Sequence, residues 1–582
     1  WTTFPPHVIT GWNIDGFDMP YIYNRLNYLG FDTRKLSPWR KVSIRQARTQ
    51  RGPEDRVVMR GVSCIDYMEV YKKQKVQDSY RLDNIATIEL GEKKLDYSEV
   101  SGLHNLYFEN FQKFIDYNIQ DVNLVKRIDE KMGLIDAQIM IAFTSLLNLD
   151  EVHGTVRIWD ALISNELHKE NKIIPFHLSN VGAGGSIPGG HVKEPHLGKH
   201  GWCCSFDLNS LYPHLIMQYN ISPETLNENY RFLPNDSIEQ RIHKLLNGIE
   251  ITNPPANHSI SCAGYAFDNS FQGVMPRLMK RLYQERKTIK KEMIAKRQRG
   301  ENADLEDLGQ LVRKLLLNSG YGALTNKYYR WYDKRLGEAI TTSGQYAIQR
   351  SQDEINKWMN KVLGTHNKDY VIAIDTDSNY VTLQPMVDRF FKDKPTEELV
   401  EILDKVCKEQ IAKVIADGYD HDAKYLQCFE QAMFMEREAI ASSAVWTAKK
   451  RYAMLVHDME GVRYEKPKLK IQGLEAIRSS TPSSCRAPLL NIIEDILTKP
   501  EAAIQHKIAE FKEEFMKLPI EDIAFPRSIN NLRKYTQSEG YMKGTPPHVR
   551  GAILHNRLLD KHGIAYDYEA LKEGEKAKFV YL

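Results

Sequence analysis

Residues 370–381, Tyr370-Val371-Ile372-Ala373-Ile374-Asp375-Thr376-Asp377-Ser378-Asn379-Tyr380-Val381, set two apolar runs on either side of four polar residues. That pattern predicts a β-hairpin with two carboxylates at its tip. Carboxylates so close repel, and uncompensated one of them keeps its proton. A divalent cation removes that penalty and favours both charges. A polar turn without a metal is the plainer alternative.

Upstream, Ser205-Phe206-Asp207-Leu208-Asn209-Ser210-Leu211-Tyr212-Pro213 puts a third carboxylate at the end of a predicted strand, before a turn into a Pro-terminated helix. Such a corner can hold a metal beside a phosphate; simple N-capping is the alternative for Asp207. Residues 314–322, Lys314-Leu315-Leu316-Leu317-Asn318-Ser319-Gly320-Tyr321-Gly322, read as helix. At about 100° per residue, Lys314, Asn318 and Tyr321 share one face. A cation, an amide and an aromatic platform together suit a triphosphate and a base pair. Arg286 and Lys290, four apart, also share a face. They lie in residues 277–299, where ten Lys/Arg stand against two Glu. A charge run of this kind is often only a solvated face.

The rest of the chain frames these segments. Its 582 residues suggest about four domains. With 42% hydrophobic and 27% charged residues, the composition is that of globular proteins with several cores. No apolar run approaches the roughly 20 residues that span a bilayer, and no signal peptide opens the chain. Seven cysteines, including the adjacent Cys203–Cys204 but no CxxC, argue for a reducing compartment and against structural zinc. The net charge of +3 says little about partners. A strand is expected at Val8–Trp12, a short helix after Pro20, and a hairpin between Arg40 and Arg60. Phe111, Phe114, Ile115, Val122 and Val125 predict a helix over 108–131. Gly182–Pro195 reads as a connector, and the region after Gly473 as a separate domain ending in a strand at Phe579–Leu582. Mixed elements in this order predict an α+β multidomain fold. Trp1 and the strand at the other end suggest a piece of a longer protein.

Together the segments resemble the family B DNA polymerases, the T-even-like tailed-phage branch in particular. Asp207–Pro213 is similar to the family's DxxSLYP, Lys314–Gly322 to KxxxNSxYG and Asp375–Ser378 to DTDS. Lys449-Lys450-Arg451-Tyr452 resembles the KKRY segment that grips the primer end. Gly189-Gly190-His191-Val192-Lys193-Glu194-Pro195, Phe434-Met435-Glu436-Arg437-Glu438 and Lys468-Leu469-Lys470-Ile471 also look like that branch. Asn13-Ile14-Asp15-Gly16-Phe17-Asp18 resembles the second proofreading motif, NxxxFD, and Tyr117-Asn118-Ile119-Gln120-Asp121 the third, YxxxD. One departure is Ile374, where the family usually has glycine; it is expected to crowd the hairpin or primer end and alter the rate. Gly320 is expected to loosen its helix by about 1 kcal/mol relative to alanine.

The resemblance implies a right hand of palm, fingers and thumb with a partial RNase H-like 3′–5′ exonuclease domain. Its expected parts are the exonuclease at 1–133, a return segment at 134–178, palm at 179–272 and 327–473, fingers at 273–326 and thumb at 474–582. It implies two Mg²⁺ ions, with Mn²⁺ able to substitute, bound by Asp207, Asp377 and the Leu208 carbonyl, with Asp375 a less certain ligand. Arg286, Lys290 and Lys314 would hold the triphosphate. Ser210, Leu211, Tyr212, Asn318 and Tyr321 would line the nucleotide pocket, Tyr212 excluding a 2′-hydroxyl. Lys449, Lys450, Tyr452, Gly189 and Gly190 would contact primer–template DNA, and Glu438 would support the palm. Asp18, Tyr117 and Asp121 would belong to the exonuclease. Residues 1–12 contain no acid, so its first motif is expected on missing sequence of the same chain or on a partner. Deoxynucleoside triphosphates are the implied substrates. A sliding clamp and other replisome proteins are implied partners, without a membrane, in the cytoplasm of an infected host cell. An RNA-synthesising or reverse-transcribing enzyme, and a non-catalytic DNA-binding scaffold, are the competing readings.

Overall fold

The computed structural model describes the chain apart from residues 2, 50–51, 78, 98, 101–102, 177–184, 565–567, 569 and 581–582. Near the amino end, β1 (Val8–Gly11) pairs in parallel with β4 (Ser63–Asp66), Gly11 opposite Asp66. Between them the hairpin expected over Arg40–Arg60 forms as β2 (Val42–Thr49) and β3 (Gly52–Met59); its turn lies outside the described residues. The short helix starts at Met19, two residues earlier than expected, because Pro20 fits a first turn where its missing N–H is no loss. The helix α1 (Phe111–Met132) is capped by the Asn110 side chain and ends at Gly133. Of the apolar positions that predict it, Val125 is buried, whereas Phe111, Ile115 and Val122 are exposed. This helix carries two apolar stripes. The covered one is Leu124, Val125 and Ile128, packed with Ile65, Tyr67, Tyr71 and Ile85.

α2 (Thr155–Lys169) joins the main core through Trp159, whose indole N–H lies 3.2 Å from the Leu316 carbonyl and 3.1 Å from Ser319 Oγ. Then come β5 (Gly198–Leu208), α3 (Leu211–Gln218), the long pair α4 (Val274–Gln298) and α5 (Asp304–Leu324), and α6 (Lys334–Leu363). β6 (Val371–Asp375) and β7 (Ser378–Thr382) form the expected hairpin, followed by β8 (Met435–Ala448), β9 (Arg451–Met459) and β10 (Val462–Gln472). These six strands make one antiparallel sheet in the order β10-β9-β8-β5-β7-β6. The order brings β5, distant in sequence, beside the hairpin, so Asp207 and the hairpin tip meet at one end of the sheet. α6 covers one face with Ala339, Ile340, Ala347, Ile348 and Ile355.

Four local expectations are revised. Pro213 does not terminate its helix but sits in the first turn of α3, where an amide donor would have no intrahelical partner. The Gly182–Pro195 segment is not a free connector where it is described: Val192 bridges to Asp375, and Lys193 and His196 donate backbone bonds to Ile374 and Ile372. Residues 182–184 lie outside the described residues. Ile374 is 1% exposed within the main core, so the sheet accommodates its branch. Gly320 packs rather than loosens: a Cβ there would come 2.3 Å from Met279 Cε and 2.8 Å from Trp159.

Beyond Gly473 the chain forms helices Ser483–Thr498, Glu501–Phe515 and Pro547–His562, and Phe525–Ser528 pairs with Lys576–Phe579. Gly473 adopts φ +67°, and a Cβ would stand 2.1 Å from the Lys450 carbonyl, so the close approach of the two segments needs glycine there. The end of the expected terminal strand, residues 581–582, lies outside the described residues.

Candidate active site

β5 ends at Leu208 with Asp207 placed opposite Ser378 on one side and Glu436 on the other. The Ser378 hydroxyl donates to Asp207 Oδ1 at 2.8 Å, and the Leu208 amide donates to the Asp377 carbonyl at 2.9 Å. Asp207 is therefore a strand residue beside the hairpin, not a helix cap; the N-cap position of α3 falls to Ser210. Burial, reinforced by the charge of Asp377, pushes the Asp207 carboxyl up to about 7. Burial likewise raises Asp377, with the Asp375 charge adding to it. Two half-buried acids thus face one another without enough positive charge to keep both ionised. That is the situation a cation relieves.

Asp375, the less certain ligand, is engaged otherwise: Lys450 Nζ lies 2.9 Å from its Oδ1. Among the described residues no group of three or more His, Cys, Asp or Glu side chains is close enough to hold a metal. The oxygen-only donors fit Mg²⁺ or Mn²⁺ better than zinc. Glu438 stands behind the pair, accepting from Ser205 Oγ and Lys470 Nζ, each at 2.8 Å. The hairpin turn is strained at Thr376, φ +62°, whose amide donates to the His191 carbonyl at 2.9 Å. Gly190 lies against it; a Cβ there would be 2.5 Å from Thr376 Cγ2. Gln345 donates to the Gly189 carbonyl at 2.6 Å. Both glycines, expected at the DNA, are thus seated against the metal-side hairpin and α6.

Tyr212, in the first turn of α3, packs its ring 4.5 Å from that of Tyr321 on α5. Leu211 is buried beneath, and Ser210 holds a left-handed φ of +47°. α4 and α5 run antiparallel, with Gly309 against Ile289 and Gly320 against Met279, which brings Lys314 level with Arg286. Lys314 and Asn318 are exposed on one face, as their spacing predicts. The basic run divides sharply. Arg277, Lys280, Arg281, Lys296 and Arg297 are each paired with an acid. Among the described residues Arg286, Lys287, Lys290 and Lys291 of the run, and Lys314 on α5, have no such partner, and Arg286 Nε is buried without a hydrogen bond.

Lys449 pairs with Glu194 at 2.8 Å. Tyr452, expected to contact the primer, is instead 1% exposed, stacked on Trp446, with its hydroxyl 2.7 Å from that of Tyr380 and donating to Gln472. It is the second residue of β9, after the Lys449–Lys450 turn, and its ring turns inward into the sheet's core.

A second cluster lies in a cavity of about 2070 Å³ lined by Asp18, Tyr117 and Asp121 together with the N-terminal half of α5. Tyr117 and Asp121 share a face of α1, as expected. Lys94 joins them, its Nζ 2.6 Å from Asp121 Oδ2 and 3.2 Å from the Tyr117 hydroxyl. Burial would depress Lys94, but the Asp121 bond and charge lift it above its ordinary value. Asp18 is raised by burial. The turn that carries it begins at Asn13, φ +63°, and is pinned by the buried Asp66 carboxylate, which accepts from the amides of Asn13 at 3.1 Å, Asp15 at 3.3 Å and Met68 at 3.1 Å. Sequence reasoning passed over Lys94 and Asp66. Lys94 is distinguished only by its pairing with Asp121 across the fold, and Asp66 by the three amides it accepts from at the end of β4.

The family description "DNA polymerase family B" matches residues 153–581, and "DNA polymerase family B, exonuclease domain" matches residues 1–85. The chain is 34% identical to the DNA-directed DNA polymerase of Escherichia phage RB69, covering 99% of this chain and 69% of that protein. It is 32% identical to the DNA-directed DNA polymerase of Enterobacteria phage T4, covering 97% and 69%. A more distant relative is the DNA polymerase delta catalytic subunit of Dictyostelium discoideum, 23% identical over 99% of this chain and 48% of that protein. The family match spans most of the α+β chain, and the carboxylates of its motifs meet at one sheet end. The chain therefore belongs to DNA polymerase family B, as a template-directed DNA polymerase with an associated 3′–5′ exonuclease domain.

Proposed function

We propose that incorporation takes place between Asp207 and Asp377, with the Leu208 carbonyl as a further ligand, on two divalent ions. The raised pair of facing carboxylates carries this reading. Bound there, Mg²⁺, or Mn²⁺ in its place, would activate the primer 3′-hydroxyl and stabilise the pyrophosphate leaving group. The unpaired Arg286, Lys290 and Lys314 hold the triphosphate and stabilise charge in the transfer. Tyr212, backed by Tyr321, blocks a 2′-hydroxyl, while Leu211 and Asn318 shape the base-pair pocket and Ser210 the turn beside the phosphates. Asp375, the less certain ligand, also anchors Lys450. Lys450 and Lys449 then meet the primer–template duplex, and Tyr452 supports them from within. Glu438, neutralised by Lys470, keeps Asp207 in place.

In the same reading the palm spans 179–272 and 327–473, the fingers 273–326 and the thumb 474–582. The exonuclease spans 1–133, followed by a return segment at 134–178. Asp18, Asp121 and Tyr117 contribute to its site. Among the described residues no helix is long and apolar enough to cross a membrane. A sliding clamp and replisome proteins as partners, and the cytoplasm of an infected cell as the setting, belong to the same proposal. The test is primer extension with deoxynucleotides, ribonucleotides and Mg²⁺: Asp377→Ala should abolish incorporation and keep duplex binding. Near-parent extension by that variant would refute the metal assignment.

A further inference from the structure

The corner between β5 and α3 carries three groups that the proposed site uses: Asp207, the Leu208 carbonyl and the turn at Ser210. Its backbone is held in an unfavourable shape, with Ser210 at φ +47° and ψ +55° and without a side-chain cap on α3. A non-glycine residue stays there only if its surroundings hold it. On one side the buried His214 ring places Nδ1 3.1 Å from the Ser210 carbonyl and packs its edge on Tyr283 of α4. On the other, Asn209 Nδ2 donates to Glu436 Oε2 at 2.7 Å. Glu436 stands directly across the β5–β8 pair from Asp207, so this bond ties the corner to the next strand.

Glu436 and Glu438 alternate along β8 yet differ in company. Glu438 has the Lys470 ammonium and Ser205. For Glu436 the Asn209 amide is the contact, a charge-assisted bond in partly solvated surroundings. We propose that Asn209 and Glu436 form a latch that positions the metal-binding corner, Glu436 acting through its hydrogen bond rather than as a metal ligand. The inference rests on the assignment of Asp207 and Leu208 to the metal site. It goes beyond that assignment in naming two positioning residues outside the carboxylate set.

Two measurements test it on the full chain. Hydrogen exchange of the 205–215 segment without metal should speed up about fivefold in Asn209→Ala and Glu436→Ala. It should lie well below the alanine variants and close to the parent in Glu436→Gln, which keeps the acceptor and loses only the charge assistance. Binding of a deoxynucleoside triphosphate with Mg²⁺ to a dideoxy-terminated primer–template should weaken about fivefold in the two alanine variants. The double variant should be no worse than either, with duplex affinity unchanged. Parent-like exchange in Glu436→Ala, additive losses in the double variant, or a Glu436→Gln as impaired as Glu436→Ala would overturn the latch. The last outcome would make Glu436 a charge in the metal site. If exchange behaves as expected while Asp377→Ala binds nucleotide like the parent, the metal-site assignment fails and the latch stands as a purely conformational tie.

Discussion

The two acidic clusters of this polymerase solve the same electrostatic problem in opposite ways. At the end of the central sheet, Asp207 and Asp377 face each other without an ion-pair partner of their own, and the two lysines that act on them, Lys470 and Lys450, are committed to Glu438 and Asp375. In the amino-terminal cavity, Asp121 already has its counter-charge in Lys94. The difference separates a pair of carboxyls raised by burial and by each other from one whose carboxylate is neutralised by the protein itself. It also means that the same kind of substitution should act differently at the two places.

The largest effect is expected at the uncompensated pair. Asp377→Ala should lower incorporation by at least about a thousandfold, since it removes charge stabilisation from the reacting centre. Steady-state primer extension reads this, with duplex affinity as the control; a loss of less than tenfold would blur the contrast between the clusters. Next, Tyr212→Ala should reduce discrimination against ribonucleotides at least about tenfold, or ~1.4 kcal/mol. Competition between the two sugars measures it, and unchanged selectivity would remove the gate from Tyr212.

At the neutralised site the effect should fall on stability. Lys94→Met leaves Asp121, one of whose oxygens is already without a partner, bare in its cavity. A cost of about 1–3 kcal/mol is expected, recovered in part by adding Asp121→Asn. Denaturant melts followed through exchange of the 111–132 helix check this. The smallest effect has the opposite sign. Asp207 titrates near 7 in the folded chain, against about 3.9 for an ordinary carboxylate. The folded state therefore binds more protons between those values, and metal-free stability falls as pH rises through that window. Asp207→Asn should melt about 2 °C above the parent at pH 8 without metal, and level with it at pH 4. A destabilised Asp207→Asn at pH 8 would mean that the pair is not under charge strain.

Much of the site was legible because its signals are local. Two apolar runs around Asp375–Ser378 announce a hairpin, and four-residue spacing puts Lys314 and Asn318 on one exposed face. What escaped the sequence depends on partners far along the chain. Nothing near Lys450 shows that it closes on Asp375, and nothing near Tyr452 shows that it turns inward toward Trp446 and Tyr380. The helix over 111–132 was readable, but its buried stripe was not, because two apolar stripes compete and the elements packed around it choose. Gly320 looked like a weakness on propensity alone. Its contact with the buried, hydrogen-bonded Trp159 ring makes alanine the worse residue, since a Cβ 2.8 Å from that ring outweighs a gain of about 1 kcal/mol.

The central claim is that Asp207 and Asp377 share divalent cations. Titrating Mn²⁺ into the full chain with primer–template, read by electron paramagnetic resonance between pH 5.5 and 8, addresses it most directly. Affinity should rise with pH as the Asp207 proton is displaced, and should be lost in both Asp207→Asn and Asp377→Asn. Binding that ignores pH and survives in either variant would contradict it.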